Sequence, residues 1–253
     1  MRGTVTLITP LSVRLLRESS VRLFVQFRIL CALLAWTAVR AFAQAEEPLP
    51  NTPPEKPIER QRVLGVLPNY RTTDGTQHFA RISAGRKLYI ARRDSFDYPV
   101  FVLSGMFAAI YQAENQNPSY GQGLRGYGKR YGAAYADQAL GNMMTEGIVP
   151  TLLKQDPRYF RVGSGGGSGW RRTRYALTRV FVGRNDKGAW TFNYPEWVGL
   201  SATVAISNLY YPSDTRNARD NAQKLAIQVA TDAFSNVLKE FWPDWKRTHA
   251  RHK

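Results

Sequence analysis

A row of small residues in the middle of this chain most constrains how it can fold. Its members lie three or four positions apart, so an α-helix would place them on one stripe. They are Gly128, Gly132, Ala136, Ala139, Met143 and Gly147. A glycine inside a helix costs roughly 1 kcal/mol relative to alanine, and close packing against another backbone would offset that cost. The row therefore predicts a central, tightly packed helix that kinks or ends at Pro150.

Other segments of the chain also have helical character. Residues 100–114 are almost entirely apolar, and residues 195–211 are again rich in small side chains. We predict an all-α fold, a single compact domain of about six helices with small-residue interfaces. The alternative is an outer-membrane β-barrel, which the tyrosines and tryptophans near segment ends would favour. The missing strand-like alternation favours the helical fold.

The last predicted helix has the clearest amphipathic pattern in the sequence. Its apolar stripe consists of Ala222, Ala226, Val229, Ala230, Ala233, Val237 and Phe241. Polar side chains occupy the opposite side, and there we expect Asp232, Asn236 and Glu240 to face solvent. Pro243 is predicted to end this helix, because proline has no backbone N–H to donate.

The N-terminal residues have the pattern of an export signal. Several arginines precede the apolar run of residues 29–39, and Ala41 and Ala43 supply the small side chains that a signal peptidase needs. The run is shorter than the roughly 20 residues that cross a bilayer as a helix. The predicted organisation is a signal peptide over residues 1–43, a proline-rich linker over 44–62, a helical domain over 63–245 and a basic tail over 246–253.

The cysteine content excludes several kinds of site, and the net charge indicates the class of partner. Cys31 is the only cysteine and lies within the predicted signal, so a disulfide scaffold, a thiolate nucleophile and thiolate metal sites are excluded for the mature chain. The full chain has a net charge of +16, and loss of the signal leaves 29 basic against 18 acidic residues, or +11. We expect an anionic membrane surface or a glycan as partner and no nucleic acid. The sequence leaves a homo-oligomer open.

Cations and tyrosines alternate where the central helix begins. Such a set suits an anionic surface, because the rings can lie at the interface while the charges meet phosphate or carboxylate groups. The predicted binding residues are Arg125, Tyr127, Lys129, Arg130, Tyr131 and Tyr135. The other interpretation is that they form only the solvated edge of a helix.

Catalytic signatures are weak. Asp137, Glu146 and Asp156 lie on or just after the central helix, and carboxyl groups held between helices could act as acid and base. Buried polar groups that hold neighbouring segments together are the alternative interpretation. The histidines lie outside the core helices and no Glu-x-x-His pair occurs, so we predict no metal site. No cofactor is predicted, because no nucleophile elbow or dinucleotide fingerprint is present.

Several motifs carry a resemblance to a family. SFDYPVF, YQAENQNPSYGQG, GYGKRYGAAYADQ and DPRYFR resemble sequences of a family of uncharacterised bacterial proteins that carry signal peptides. The resemblance covers roughly residues 63–245. It implies export and brings no activity, cofactor or catalytic residue to this chain.

Together these features predict a non-catalytic, exported cell-envelope protein, periplasmic or peripherally membrane-associated. It would bind anionic lipid or glycan through its basic, aromatic helix. The alternative is an envelope hydrolase that uses carboxylates of the central helix.

Overall fold

The computed structural model describes residues 71–75 and 79–250, and this part of the chain has a mainly helical fold. Its helices are α1 Ala84–Ser95, α2 Tyr98–Ala113, α3 Gly123–Asn142, α4 Val149–Leu152, α5 Gly169–Thr178, α6 Tyr194–Ser207 and α7 Ala218–Ala250. A π-helical segment, Met143–Ile148, joins α3 to α4. The prediction of a compact all-α domain with about six helices is confirmed, since α4 is a single turn. The predicted signal peptide and linker lie outside the described residues.

Five short strands connect the helices within the described residues. β1 Thr72–Asp74 pairs in parallel with β3 Tyr159–Arg161. β2 Gln155–Asp156, β4 Val182–Asn185 and β5 Trp190–Phe192 form an antiparallel sheet in the order β2–β4–β5. Strands of two to four residues are too short to show an alternating pattern, and the sequence analysis did not predict them.

The prediction that the small-residue stripe is the packed side of α3 is only partly correct. Gly128 and Gly132 are exposed, and a Cβ added at either position would meet no neighbouring atom within 4 Å. The buried side of α3 instead includes Gly126, Ala133 and Gly141. The helix is rotated relative to the prediction because its buried face includes a large polar residue, described below, rather than small residues alone.

Close backbone packing does occur further along the chain. A Cβ added at Gly147 would lie 3.0 Å from the Cβ of Ala91 on α1. One added at Gly199 on α6 would lie 3.0 Å from Thr145 Cγ2 and 3.1 Å from the carbonyl carbon of Met144. The π-helical segment is therefore clamped between α1 and α6, with glycine at both contacts.

The last helix, α7, is turned the opposite way from its prediction. Ala222, Ala226 and Ala230 of the apolar stripe are exposed. The residues buried most fully are polar: Gln228, Asn236, Lys239 and Glu240. The expectation that Asn236 and Glu240 face solvent is wrong, because the interior that α7 covers contains charged partners for them.

Glu240 anchors the segment that follows β3. Its carboxylate accepts hydrogen bonds from the Tyr159 hydroxyl at 2.8 Å, from the backbone N–H of Val162 at 3.1 Å and Gly163 at 2.8 Å, and from Arg172 Nε at 2.9 Å. The residue is fully buried. A buried charge with four donors is well satisfied, so this contact fixes β3, α5 and the glycine-rich residues 163–168 between them against α7.

Pro243 does not end α7, which continues to Ala250. The next residue, Asp244, binds Arg161 and Arg172, each at 2.6 Å. These two charge-assisted contacts hold the chain beyond the proline and offset the backbone hydrogen bond that proline cannot make. The predicted helix end at Pro243 is therefore wrong.

Two glycine-to-alanine variants test this packing. Gly199→Ala should lower the free energy of unfolding by about 1–3 kcal/mol, because the new methyl group would press on the backbone of the π-helical segment. Gly128→Ala should raise it by roughly 0.5–1 kcal/mol, because the site is open and alanine is the better helix former. Urea denaturation of both variants measures the difference, and a more stable Gly199→Ala protein would contradict the packing.

Candidate functional site

The predicted anion-binding cations divide between surface and interior. Arg125 and Lys129 are exposed one turn apart on α3. Arg130 is only 1% exposed. The guanidinium of Arg130 therefore needs internal partners, because a buried cation without acceptors would be costly.

Arg130 finds these partners in the loop before α3. Its guanidinium donates to the carbonyl oxygens of Gln116 at 2.8 Å, Gly121 at 2.6 Å and Asn117 at 3.2 Å, and to Gln112 Oε1 at 2.6 Å. Arg130 thus orders this loop instead of facing a partner. Arginine is rarely buried, so an interior position for Arg130 was not expected from its residue type.

The three tyrosines of the predicted binding set are half-buried between α3 and α2. The Tyr127 hydroxyl donates to the Gly105 carbonyl at 3.2 Å, and the Tyr135 ring stacks on Phe101 with ring centroids 4.8 Å apart. Tyr127 and Tyr131 are tilted neighbours at 6.4 Å. These rings join α3 to one side of α2 and leave the outer face of α2 uncovered. Arg125 and Lys129 are each two positions from Tyr127 along the chain, so they project from another side of α3.

That outer face is apolar and exposed. α2 carries no charged residue, and its main neighbour is α3. Val102, Met106 and Ile110 recur every fourth residue and are 54%, 57% and 47% exposed. We call them, together with the exposed Phe101, the α2 face. Residues spaced in this way form one continuous stripe along a helix.

Cations also border the start of α2. On α1, the guanidinium groups of Arg86, Arg92 and Arg93 lie 5.5–5.9 Å from the centroid of the exposed Tyr89 ring. Phe96, at the end of α1, is 65% exposed. Positive charge and exposed aromatic rings therefore precede the α2 face along the chain.

Apolar exposure extends across the described residues, while the interior is unusually polar. Nineteen polar or charged residues are buried there, against 16 hydrophobic ones. Twenty large hydrophobic residues are exposed. Single exposed apolar side chains are normal, but contiguous apolar patches generally mark contact surfaces for proteins, ligands or lipids.

Asp137, the first of the weak catalytic candidates, is held by two tyrosine hydroxyl groups. Its carboxylate accepts hydrogen bonds from the hydroxyl groups of Tyr210 and, at 2.7 Å, Tyr211. Burial raises the pKa of Asp137, and the two tyrosine hydrogen bonds oppose that rise. Asp137 therefore fastens α3 to the segment that follows α6.

Glu146 and Asp156 are held in different places from Asp137 and from each other. Glu146 pairs with Arg71 at 2.7 Å, and Asp156 pairs with Arg158 at 2.6 Å. Asp156 lines a cavity of about 40 Å³ that neither of the other two candidates lines. The structure thus does not bring the three carboxylates together as an acid–base set.

A cluster of charges fills the interior between α1, the π-helical segment, α6 and α7. We call it the charge cluster, and its members are Arg71, Asp94, Glu146, Glu196, Asp232 and Lys239. Arg71 is its centre, since it lies 2.7 Å from Glu146 and 3.4 Å from Asp232. Sequence reasoning singled out Glu146 alone for a buried role, because nothing in the spacing of the other residues indicates that they meet.

The charge cluster has four carboxyl groups for two cations, and the pKa values of several members are shifted. Burial raises the pKa of Asp94 well above its usual range, and neighbouring Glu146 raises it further. Burial and neighbouring Asp232 do the same to Glu196. Burial also lowers the pKa of Lys239, to about 8. Protonation of Asp94 and Glu196, which both shifts favour, would reduce the excess of negative charge in the cluster.

Comparisons add no named relative, and no protein-family model, curated protein or solved structure matches this chain. Within residues 71–75 and 79–250 there is no group of three or more histidine, cysteine or acidic side chains that could hold a metal ion. In the same part of the chain we find no helix with the length and apolarity that a membrane crossing requires.

The protonated state of the charge cluster can be tested with Asp94→Asn and Glu196→Gln. A carboxyl group whose pKa is raised by folding binds more protons in the folded state, so its contribution to stability is lost as the pH rises. Above about pH 4, the wild type should lose stability relative to each amide variant by up to about 1.4 kcal/mol per pH unit. Urea denaturation across a pH series measures this divergence.

A matched control is Asp214→Asn, which changes an exposed aspartate. We expect its stability to follow that of the wild type at every pH. If the Asp94→Asn and Glu196→Gln proteins differ from the wild type by a constant amount at all pH values, the two buried acids are not protonated in the folded protein.

Proposed function

We propose that this protein is an exported, non-catalytic cell-envelope protein that associates peripherally with anionic lipid surfaces. The observation that carries this proposal is the α2 face, an exposed apolar stripe on a protein whose helices α1 and α3 carry exposed cations. The net charge of +16, or +11 without the predicted signal, agrees with an anionic partner. Export itself rests on the sequence pattern of residues 1–43.

The α2 face supplies the apolar part of the interaction. Helices that lie in a membrane interface bury one apolar side about 5–10 Å into the headgroup and acyl boundary, while polar groups remain in the headgroup layer. Val102, Met106 and Ile110 are each about half exposed, so lipid contact would remove from water a surface that the fold leaves uncovered. Each would contribute on the order of 1 kcal/mol.

The neighbouring cations supply the electrostatic part. A lysine or arginine close to an anionic leaflet contributes about 1 kcal/mol, and salt screens this attraction over about 10 Å at moderate ionic strength. Arg125 and Lys129 are exposed on α3, and Arg86, Arg92 and Arg93 lie on α1, which precedes α2 along the chain. Tyrosine and phenylalanine between them suit the headgroup level.

Two alternatives are less well supported. A hydrolase would need the three candidate carboxylates near one substrate, and each has its own structural partner instead. A homo-oligomer could also cover the α2 face. Charge favours lipid over a second copy of this chain, because like cations would approach one another at such an interface.

Binding to vesicles tests the proposal. The wild type should bind vesicles that contain phosphatidylglycerol and should bind phosphatidylcholine vesicles much more weakly, as measured by co-sedimentation. The triple variant Val102→Ser, Met106→Ser, Ile110→Ser should weaken binding to the anionic vesicles by roughly 100-fold. Arg125→Gln with Lys129→Gln should weaken it by roughly 30-fold at low salt and by much less at high salt.

The charge control is Lys187→Gln with Arg219→Gln, which removes two exposed cations outside α1, α2 and α3. It should leave vesicle binding within about threefold, given the short screening length. Failure of the wild type to bind anionic vesicles at low salt would overturn the proposal. So would a triple variant that dissociates an oligomer in analytical ultracentrifugation but still binds vesicles normally.

A further inference from the structure

An open cleft of about 320 Å³ lies beside the first two turns of α7, apart from the α2 face. Its size is at the lower end of the roughly 300–1,000 Å³ of small-molecule sites. We call it the tyrosine cleft. The lining residues that matter here are Tyr111, Asn117, Tyr211, Asp220, Gln223 and Lys224.

Helix α3 holds two walls of the tyrosine cleft in place. Arg130 orders the loop that contains Asn117, to whose carbonyl it donates at 3.2 Å. About two turns further along α3, the Asp137 carboxylate accepts a hydrogen bond from the Tyr211 hydroxyl at 2.7 Å. Arg130 and Asp137 are seven residues apart and so lie on one side of the helix. Walls that are fixed before binding reduce the ordering cost of a ligand.

The charges that line the cleft balance. Asp220 and Lys224 are one turn apart on α7, the acidic residue first, as favours an ion pair along a helix. Lys224 Nζ also lies 3.4 Å from the centroid of the Tyr211 ring. Burial lowers the pKa of Lys224, while the Asp137 and Asp220 carboxylates oppose that change. One cation and one carboxylate leave no net charge to select an anion.

The other lining groups can both donate and accept hydrogen bonds. The carboxamides of Asn117 and Gln223 each offer two N–H donors and one acceptor oxygen. Burial raises the pKa of Tyr111 to about 12, so its hydroxyl remains a donor at neutral pH. The rings of Tyr111 and Tyr211 add apolar walls.

A ligand that suits this lining carries no net charge, has several groups that both donate and accept hydrogen bonds, and presents an apolar face to a ring. Sugars meet all three requirements, since hydroxyl groups alternate with C–H faces around the ring. We propose that the tyrosine cleft binds a neutral saccharide of one or two sugar units. No residue of the α2 face lines this cleft, although Tyr111 follows Ile110 on the same helix. The proposed sugar binding does not require membrane association.

The experiment uses the full chain with methyl β-glucoside, N-acetylglucosamine and its disaccharide as probes. Glucuronate and leucine serve as anionic and zwitterionic comparisons. Saturation-transfer NMR should detect transfer from tyrosine rings to the C–H protons of at least one neutral sugar, and titration calorimetry should give a dissociation constant on the order of 1 mM. Gln223→Ala and Tyr111→Leu should each weaken that binding at least fivefold.

Two further variants separate the outcomes. Lys224→Gln removes the cation but keeps a hydrogen-bonding side chain, so it should weaken neutral-sugar binding less than Gln223→Ala does. Arg219→Ala changes an exposed α7 residue outside the cleft lining and should have no effect. Gln223 is exposed, so its variant remains informative even if Tyr111→Leu fails to fold.

Binding of glucuronate or leucine alone would overturn the assignment of a neutral ligand. Absence of binding by all three neutral probes, or neutral-sugar binding that Gln223→Ala leaves unchanged, would overturn the site. Vesicle binding by the α2 face could persist under each of these outcomes.

Discussion

The packing of this protein depends on a charge pair in its interior. Arg71, just before β1, meets Glu146 of the π-helical segment and Asp232 of α7. Breaking a buried ion pair by removing one partner typically costs about 3–5 kcal/mol, because the other charge is left without compensation. Since Asp94 and Glu196 surround the same pair, one contact region joins α1, α6, α7 and the segment between α3 and α4.

A polar interior has a consequence for the surface. Helices α6 and α7 bury the charged residues Glu196, Lys239 and Glu240, and the alanines of α7 lie on its exposed side. Helix α2 contributes no charged residue to the interior, and its contact with α3 leaves Val102, Met106 and Ile110 exposed. This exposed apolar surface is the basis of the proposed lipid contact.

The sequence was sufficient to predict the helical class and most helix positions, because the periodicity of a helix appears in any amphipathic pattern. The pattern was not sufficient to predict which side of each helix is buried. The usual rule assumes an apolar interior, and for α7 this assumption put Glu240 in solvent and the alanine stripe inside. The predicted surface position of Arg130 was wrong for a related reason. Its acceptors are mostly backbone carbonyls of a loop, and no sequence pattern encodes the shape of that loop. Of the predicted binding set, Arg125 and Lys129 remain on the surface.

The most direct measurement places a fluorescent probe on the α2 face. Cys31 is the only native cysteine, so a Cys31→Ser chain accepts a single environment-sensitive label at Met106→Cys, or at Lys187→Cys on the β4–β5 turn as control. With phosphatidylglycerol vesicles, we expect the label at position 106 to shift to shorter wavelength and to be quenched by lipids brominated in their acyl chains. The label at position 187 should change in neither respect. Equal responses at both positions, or none at position 106, would contradict a lipid-facing α2.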